Sequence, residues 1–140
     1  MPNIREIIKK QKAFYKSVVS VFCPLLNDTI YFTGEGFNHL LGDNPRKRRD
    51  INEQYLKLMC LSHAPTIAKN SVRIVEVRKG ERFVKHKKKS TVTYELVDGK
   101  KRRDNIAVVV ERIGTGKLKF RSVKKIRDNR YNNKKAPFGA

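Results

Sequence analysis

The hydrophobic period of this chain changes once, near residue 72, and that change constrains the architecture more than any other feature. Before it, apolar side chains recur every three or four positions; after it they alternate. A period of 3.6 buries one stripe of a helix, and a period of two buries one face of a strand. Helices followed by strands predict an α+β protein, with N-terminal helices packed on a four-stranded antiparallel sheet. At 140 residues the chain is expected to form one domain over residues 1–126.

In the first half, Ile4, Ile7, Ile8, Phe14, Tyr15, Val18, Val19 and Phe22 follow helical steps with lysines between them. This predicts one amphipathic helix across residues 4–22, stopped by Pro24. Residues 28–32 read as a short strand rich in β-branched and aromatic side chains. Thr33 can cap a second helix that carries Phe37, His39, Leu40 and Leu41, with Glu35 in its first turn. Gly42 to Pro45 breaks it. Asp50 followed by Glu53 is a variant of the capping box and predicts a helix from Ile51 to about Leu61. One further helical turn is expected over residues 66–70.

In the second half, residues 72–78 predict a first strand, turning near Lys79 and Gly80. Residues 91–97 alternate cleanly and end at Asp98-Gly99, a strong hairpin signal. Residues 105–113 predict a strand whose run 106–110 is apolar on both faces, which places it centrally. Gly114-Thr115-Gly116 turns into a last strand over residues 117–123. The lysine cluster at 85–89 and the basic run at 100–103 read as solvated loops or strand ends. The Asn- and Lys-rich tail, residues 127–140, is expected to be disordered without a partner.

Charge narrows the classes of function. Lysine and arginine number 33 against 13 acidic residues, a net charge of +20. Self-repulsion on this scale costs stability, so it points to an anionic partner. Half of the excess lies in residues 72–123, with 16 basic residues against 6 acidic ones. Cys23 and Cys60 sit in apolar surroundings without metal-ligand spacing, and predict buried thiols in a reducing compartment, the cytoplasm. The longest uncharged run near the N-terminus is too short to cross a bilayer, and the opening residues do not pattern as a signal peptide. The acidic residues are scattered, so a two-metal nuclease is not expected, nor is any metal or other cofactor.

His39 lies about 200° from Phe37 and Leu41 on a helix and so points away from the expected apolar stripe. A lone histidine is commonly a surface group or a satisfied core group. Here the cluster Arg46, Lys47, Arg48 and Arg49 follows within ten residues. Metal-free RNA cleavage needs a base for the 2′-hydroxyl, an acid for the leaving 5′-oxygen and fixed positive charge on the phosphorane. Histidine can serve as base or acid, and arginine grips phosphate bidentately. Ser122 is either a strand-end serine or a donor to a phosphate oxygen. Lys119 and Arg121 point to the opposite strand face, toward solvent or an RNA backbone. His63 suits a helix end, and His86 sits among lysines. Lys87, Lys88 and Lys89 give salt-sensitive attraction to phosphate. Tyr31, Tyr94, Phe120 and Tyr131 are candidates to stack bases, Tyr94 and Phe120 equally to fill the core.

The order of these short motifs resembles a known family. Tyr31-Phe32-Thr33, the Gly36-to-Leu41 segment with His39, the basic run 46–49, the helix that Ile51 leads and Lys119-Phe120-Arg121-Ser122-Val123 are similar to the BECR nucleases (barnase–EndoU–colicin–RelE-like). The likeness is to their phage and mobile-element branch and to the colicin D type of tRNA ribonuclease, and it covers about residues 29–123. It implies a BECR-like ribonuclease fold and metal-free endoribonuclease activity, as in a toxin or mobile-element effector. His39 then matches the catalytic histidine, Arg48 or Arg49 the arginine after the helix, and Ser122 the hydroxyl of the last strand. The chain departs from the colicin D pattern in having Gly36 one turn before the histidine, where a lysine is usual, and in having no tryptophan. The implied partners are RNA, tRNA first, and an acidic antitoxin or immunity protein that plugs the groove. The alternatives are a non-catalytic RNA-binding or ribosome-associated protein and, last, a DNA-binding module.

Overall fold

A computed structural model describes residues 3–42, 49–100 and 105–126. Arg46, Lys47, Arg48, Tyr131 and the tail lie outside the described residues. Among those described, the elements are α1 (Ile4–Val18), β1 (Ser20–Cys23), β2 (Asp28–Tyr31), α2 (Gly34–Leu41), α3 (Ile51–Leu61), α4 (Ala64–Asn70), β3 (Arg73–Val84), β4 (Lys87–Val97), β5 (Ile106–Ile113) and β6 (Leu118–Lys125). The α+β class stands. The sheet is not the four-stranded antiparallel sheet expected of a BECR-like ribonuclease fold: it has six strands and is mixed, in the order β1-β2-β6-β5-β4-β3.

The four expected strands form the antiparallel run β3 to β6. Two more come from the N-terminal half. Helix α1 ends at Val18, Val19 turns to a φ of 62°, and the residues read as the last turn of a longer helix become β1. Val19, Val21 and Phe22 satisfy a helical spacing, yet β-branched and aromatic side chains also favour a strand. Pairing with β2 decides between the two, since it gives this backbone a ladder partner. β2 in turn lies parallel to β6, but only through Ile30 with Leu118 and Tyr31 with Lys119.

The first hairpin also differs from expectation. β3 runs through Gly80 to Val84, and the turn falls on Lys85 and His86, with φ of 51° and 66°. Positive φ at both central residues is the turn geometry whose twist suits a two-residue hairpin. Lys87, Lys88 and Lys89 therefore stand at the start of strand β4, the strand-end alternative of the two expected. All three are exposed, so a lysine run costs no desolvation there.

The helices cover one face of the sheet. Leu40, Leu58, Leu61 and Ile67 meet Ile30, Leu96, Val108, Val110, Leu118 and Phe120 in the main core. As expected, residues 106–110 of β5 are buried throughout, because a smaller cluster of Val97, Ala107 and Ile126 lies apart from the main core. Cys23 and Cys60 are buried free thiols. No described helix is long and apolar enough to cross a membrane.

At the centre sits an aromatic cluster. The Tyr15 ring lies 5.7 Å from Phe32, 5.4 Å from Phe37 and 5.7 Å from Phe120, and Phe32 stacks on Phe120 at 4.9 Å. The Tyr15 hydroxyl donates to the Thr33 carbonyl at 2.6 Å. Phe120 is thus a core residue rather than a surface for bases. A Cβ on Gly36 would lie 2.4 Å from the Phe120 carbonyl oxygen and 2.8 Å from the Tyr15 hydroxyl, so α2 rests on the β6 backbone only because position 36 has no side chain. Gly36→Ala is expected to cost about 2–3 kcal/mol by overpacking. Gly34→Ala, with nothing within 4 Å, should be neutral or slightly stabilising. Urea unfolding of the two variants measures the difference.

Candidate active site

Helix α2 starts at Thr33, whose hydroxyl accepts from the Gly36 N–H at 3.4 Å. Phe37, Leu40 and Leu41 enter the core, and His39 is left half-buried on the polar side, as its helical position predicts. His39 occupies the last turn of this helix. β2 parts from β6 after Tyr31, and α2 takes its place beside β6. The polar face of α2 thereby becomes the wall of a cleft of about 530 Å³ whose floor is the sheet.

The floor is charged. Glu111 of β5, Lys119 and Arg121 of β6 and Arg82 of β3 line the same cleft as Glu35, Asn38 and His39. One Glu111 carboxylate oxygen accepts from Arg121 at 3.0 Å and faces the Arg82 guanidinium at 3.4 Å. A register shift produces this arrangement. Val110 pairs with Phe120 and Val109 with Ser122, so Arg121 is the extra residue of a β-bulge. A bulge re-aims the side chain it carries.

Of the residues singled out from the sequence, His39, Lys119 and Arg121 meet here. Arg49 and Ser122 do not line this cleft. The Arg49 Nε donates to the Leu40 carbonyl at 3.1 Å, another guanidinium nitrogen reaches the His39 carbonyl at 3.5 Å, and Glu53 lies 3.7 Å away. Arg49 therefore caps α2 and ties it to α3. Ser122 is buried and accepts from Lys57 Nζ at 3.1 Å, and the same ammonium donates to the Val123 carbonyl at 3.0 Å. Lys87, Lys88 and Lys89 lie exposed on the β3–β4 hairpin, and Arg46, Lys47 and Arg48 lie outside the described residues.

Three residues of this region escaped the reading of the sequence. Arg82 lies between the turn expected near Gly80 and the lysine cluster at 85–89, where no element is expected. Glu111 is one of few acids in a basic half and directly follows the apolar run 106–110 of its strand, which was the available signal. Lys57 looked like an ordinary helix lysine.

Elsewhere on the sheet Glu95 is 1% exposed and accepts from Arg78 and Lys124, each at 2.8 Å. Burial alone would raise its carboxyl, but hydrogen bonds with Lys124, Glu76 and Arg78 outweigh that and hold it below the usual carboxylate range. Among the described residues no group of three or more His, Cys, Asp or Glu could hold a metal ion. The chain matches no protein-family model, and no curated protein or solved structure matches it either.

Lys57 supplies a pH test. Burial, with the nearby charges of Arg49 and Lys124, lowers its ammonium to about 8. Between roughly pH 8 and 10.4 the unfolded chain then holds a proton that the folded chain has released, so folding gains stability as pH rises. Relative to Lys57→Met, the wild type should gain about 1–2 kcal/mol between pH 7.5 and 9.5. Urea midpoints at the two pH values check this, and a constant difference would refute it.

Proposed function

We propose that the chain is a metal-independent endoribonuclease that leaves 2′,3′-cyclic phosphate and 5′-hydroxyl ends, with the His39 cleft as its active site. The observation that carries this reading is the meeting of an imidazole, two carboxylates (Glu35 and Glu111) and three cations in one cleft. These are the groups that in-line attack by a 2′-hydroxyl requires.

In this mechanism the Glu111 carboxylate takes the 2′-hydroxyl proton as the 2′-oxygen bonds to phosphorus. His39, as imidazolium, protonates the 5′-oxygen as the phosphorus–oxygen bond breaks. Arg121 and Arg82 hold the non-bridging oxygens, since guanidinium forks match phosphate and do not lose their proton. Lys119 adds a third positive charge. Bound phosphate competes with Glu111 for the two arginines and frees the carboxylate to accept.

The resemblance to the BECR nucleases favours the same reaction class; it is a likeness of short sequence motifs in β2, α2, the basic run 46–49, α3 and β6, and it does not extend to the six-stranded mixed sheet. It also favours tRNA as the first substrate to try, a toxin or mobile-element role and a cytoplasmic setting. An acidic antitoxin or immunity protein is the protein partner that so cationic a cleft would attract.

Purified protein mixed with tRNA in EDTA should yield fragments with 5′-hydroxyl ends. His39→Ala should lower the rate roughly 10²–10⁴-fold. Glu111→Gln and Arg121→Ala should each cost at least tenfold in kcat, while Ser122→Ala should stay within tenfold of wild type. Undiminished cleavage by His39→Ala removes the histidine from the mechanism. Tight, salt-dependent RNA binding without cleavage would favour a non-catalytic RNA-binding protein instead.

A further inference from the structure

The β3–β4 hairpin is longer than the sheet that carries it. β4 pairs with β5 only from Thr91, opposite Ile113, onward. Beyond that point the ladder from Glu81 with Ser90 to Val84 with Lys87 is a two-stranded ribbon, with no third strand among the described residues. It projects about 15 Å, from the rise per residue of a strand. Six lysines and arginines stand between residues 79 and 90 against Glu81 alone.

An isolated ribbon of this kind is a poor contribution to stability, because two strands without a covered face gain little from burial. Its tip is also strained, with Lys85 and His86 both at positive φ where glycine or asparagine is usual. Phe83 is 72% exposed, on a segment with no core to join. Such features are retained more readily for contact with a partner than for folding.

The register shows how the ribbon joins the cleft. Directly opposed residues share a face of a sheet. Thr91 pairs with Gly80 on one side and with Ile113 on the other. Two residues along, Arg82 pairs with Lys89, and after that Val84 pairs with Lys87. Arg82, Lys87 and Lys89 therefore continue the face that holds Ile113 and Glu111, and Arg82 reaches Glu111 itself. Phe83 and Lys88 form the reverse face, where Lys88 pairs with Glu81 at 3.4 Å. Among the described residues, Lys85, Lys87 and Lys89 make no ion pair.

We propose that this ribbon is an RNA-gripping arm: a single strand leaving the cleft runs along the Arg82–Lys89–Lys87 face and turns over the tip, where an unpaired base stacks on Phe83 of the reverse face. The proposal rests on the nuclease reading for its direction along the cleft, but binding by the arm does not require cleavage. It makes the substrate class a single-stranded segment long enough to reach the tip, rather than a dinucleotide. Phosphates meet lysines that have no competing carboxylate, and an exposed aromatic ring gives an unpaired base a stacking surface.

The test uses the full chain and a single-stranded 2′-O-methyl RNA of 24 nucleotides, which lacks the attacking hydroxyl. Fluorescence anisotropy is measured across a salt series for wild type and for two variants. One carries Lys85→Gln, Lys87→Gln and Lys89→Gln, and the other carries Phe83→Ser. The lysine variant should bind at least tenfold more weakly at low salt, with a log–log salt slope shallower by roughly 2, since each phosphate contact on a single strand contributes about 0.7. Phe83→Ser should bind roughly fivefold more weakly with the slope unchanged. With cleavable RNA, the preference of wild type for a long strand over a dinucleotide should collapse in the lysine variant. Binding and slope unchanged in both variants would overturn the arm, whether or not the protein cleaves RNA. Arm-dependent binding by a wild type that cleaves nothing would overturn the nuclease and leave the arm in place.

Discussion

Helix α2 lies against the backbone of β6 at a separation that admits no side chain at position 36. The rest of the arrangement depends on that contact. β2 accompanies β6 for two pairs and then leaves it, so the edge of β6 beyond Lys119 needs another cover. α2 provides it. The rings of Tyr15, Phe32, Phe37 and Phe120 lock the junction from the core side, and the Tyr15 hydroxyl pins the residue that caps α2. Because the helix sits at this edge rather than over the middle of the sheet, its polar side overlooks the charged floor. His39 is thereby brought to Lys119 and Arg121.

The second organising effect is electrostatic. A chain with 33 basic and 13 acidic residues must arrange many like charges on one small surface. Two acids in the sheet act as local anchors. Glu95 draws in Arg78 and Lys124, and Glu111 draws in Arg82 and Arg121. Each carboxylate brings two cations closer together than their mutual repulsion would otherwise favour. The result at Glu111 is a pair of guanidiniums held together on the floor of the cleft that His39 also lines.

Parts of this were legible residue by residue. Asp50 caps α3 through the Glu53 N–H at 2.9 Å, and Thr33 caps α2, both as their side chains suggest. The doubly apolar run of β5 is central. His39 is on the polar side of its helix. The opposite faces expected for Lys119 and Ser122 are not found, because the bulge at Arg121 shifts the alternation and Ser122 pairs with Val109 as Lys119 pairs with Glu111. The boundary between α1 and β1 was not legible, because Val19, Val21 and Phe22 satisfy two periods at once. The reach of β3 was not either, since Lys85 and His86 are unusual at a two-residue turn and an exposed ribbon carries no apolar alternation. The lysine partner of Ser122 lies 65 residues away in the chain, and no local pattern announces such a contact.

What the sequence alone determined is therefore what short-range forces control: caps, hydrophobic periods, the order of helices before strands and a large positive charge. These depend on residues within one or two turns of each other. Tertiary structure decided which cations face the histidine, because that choice rests on the parallel pairing of β2 with β6, on the bulge at Arg121 and on the seat of α2 at Gly36. Each of those joins segments distant in the chain, where the free energy of packing and strand pairing outweighs local preference.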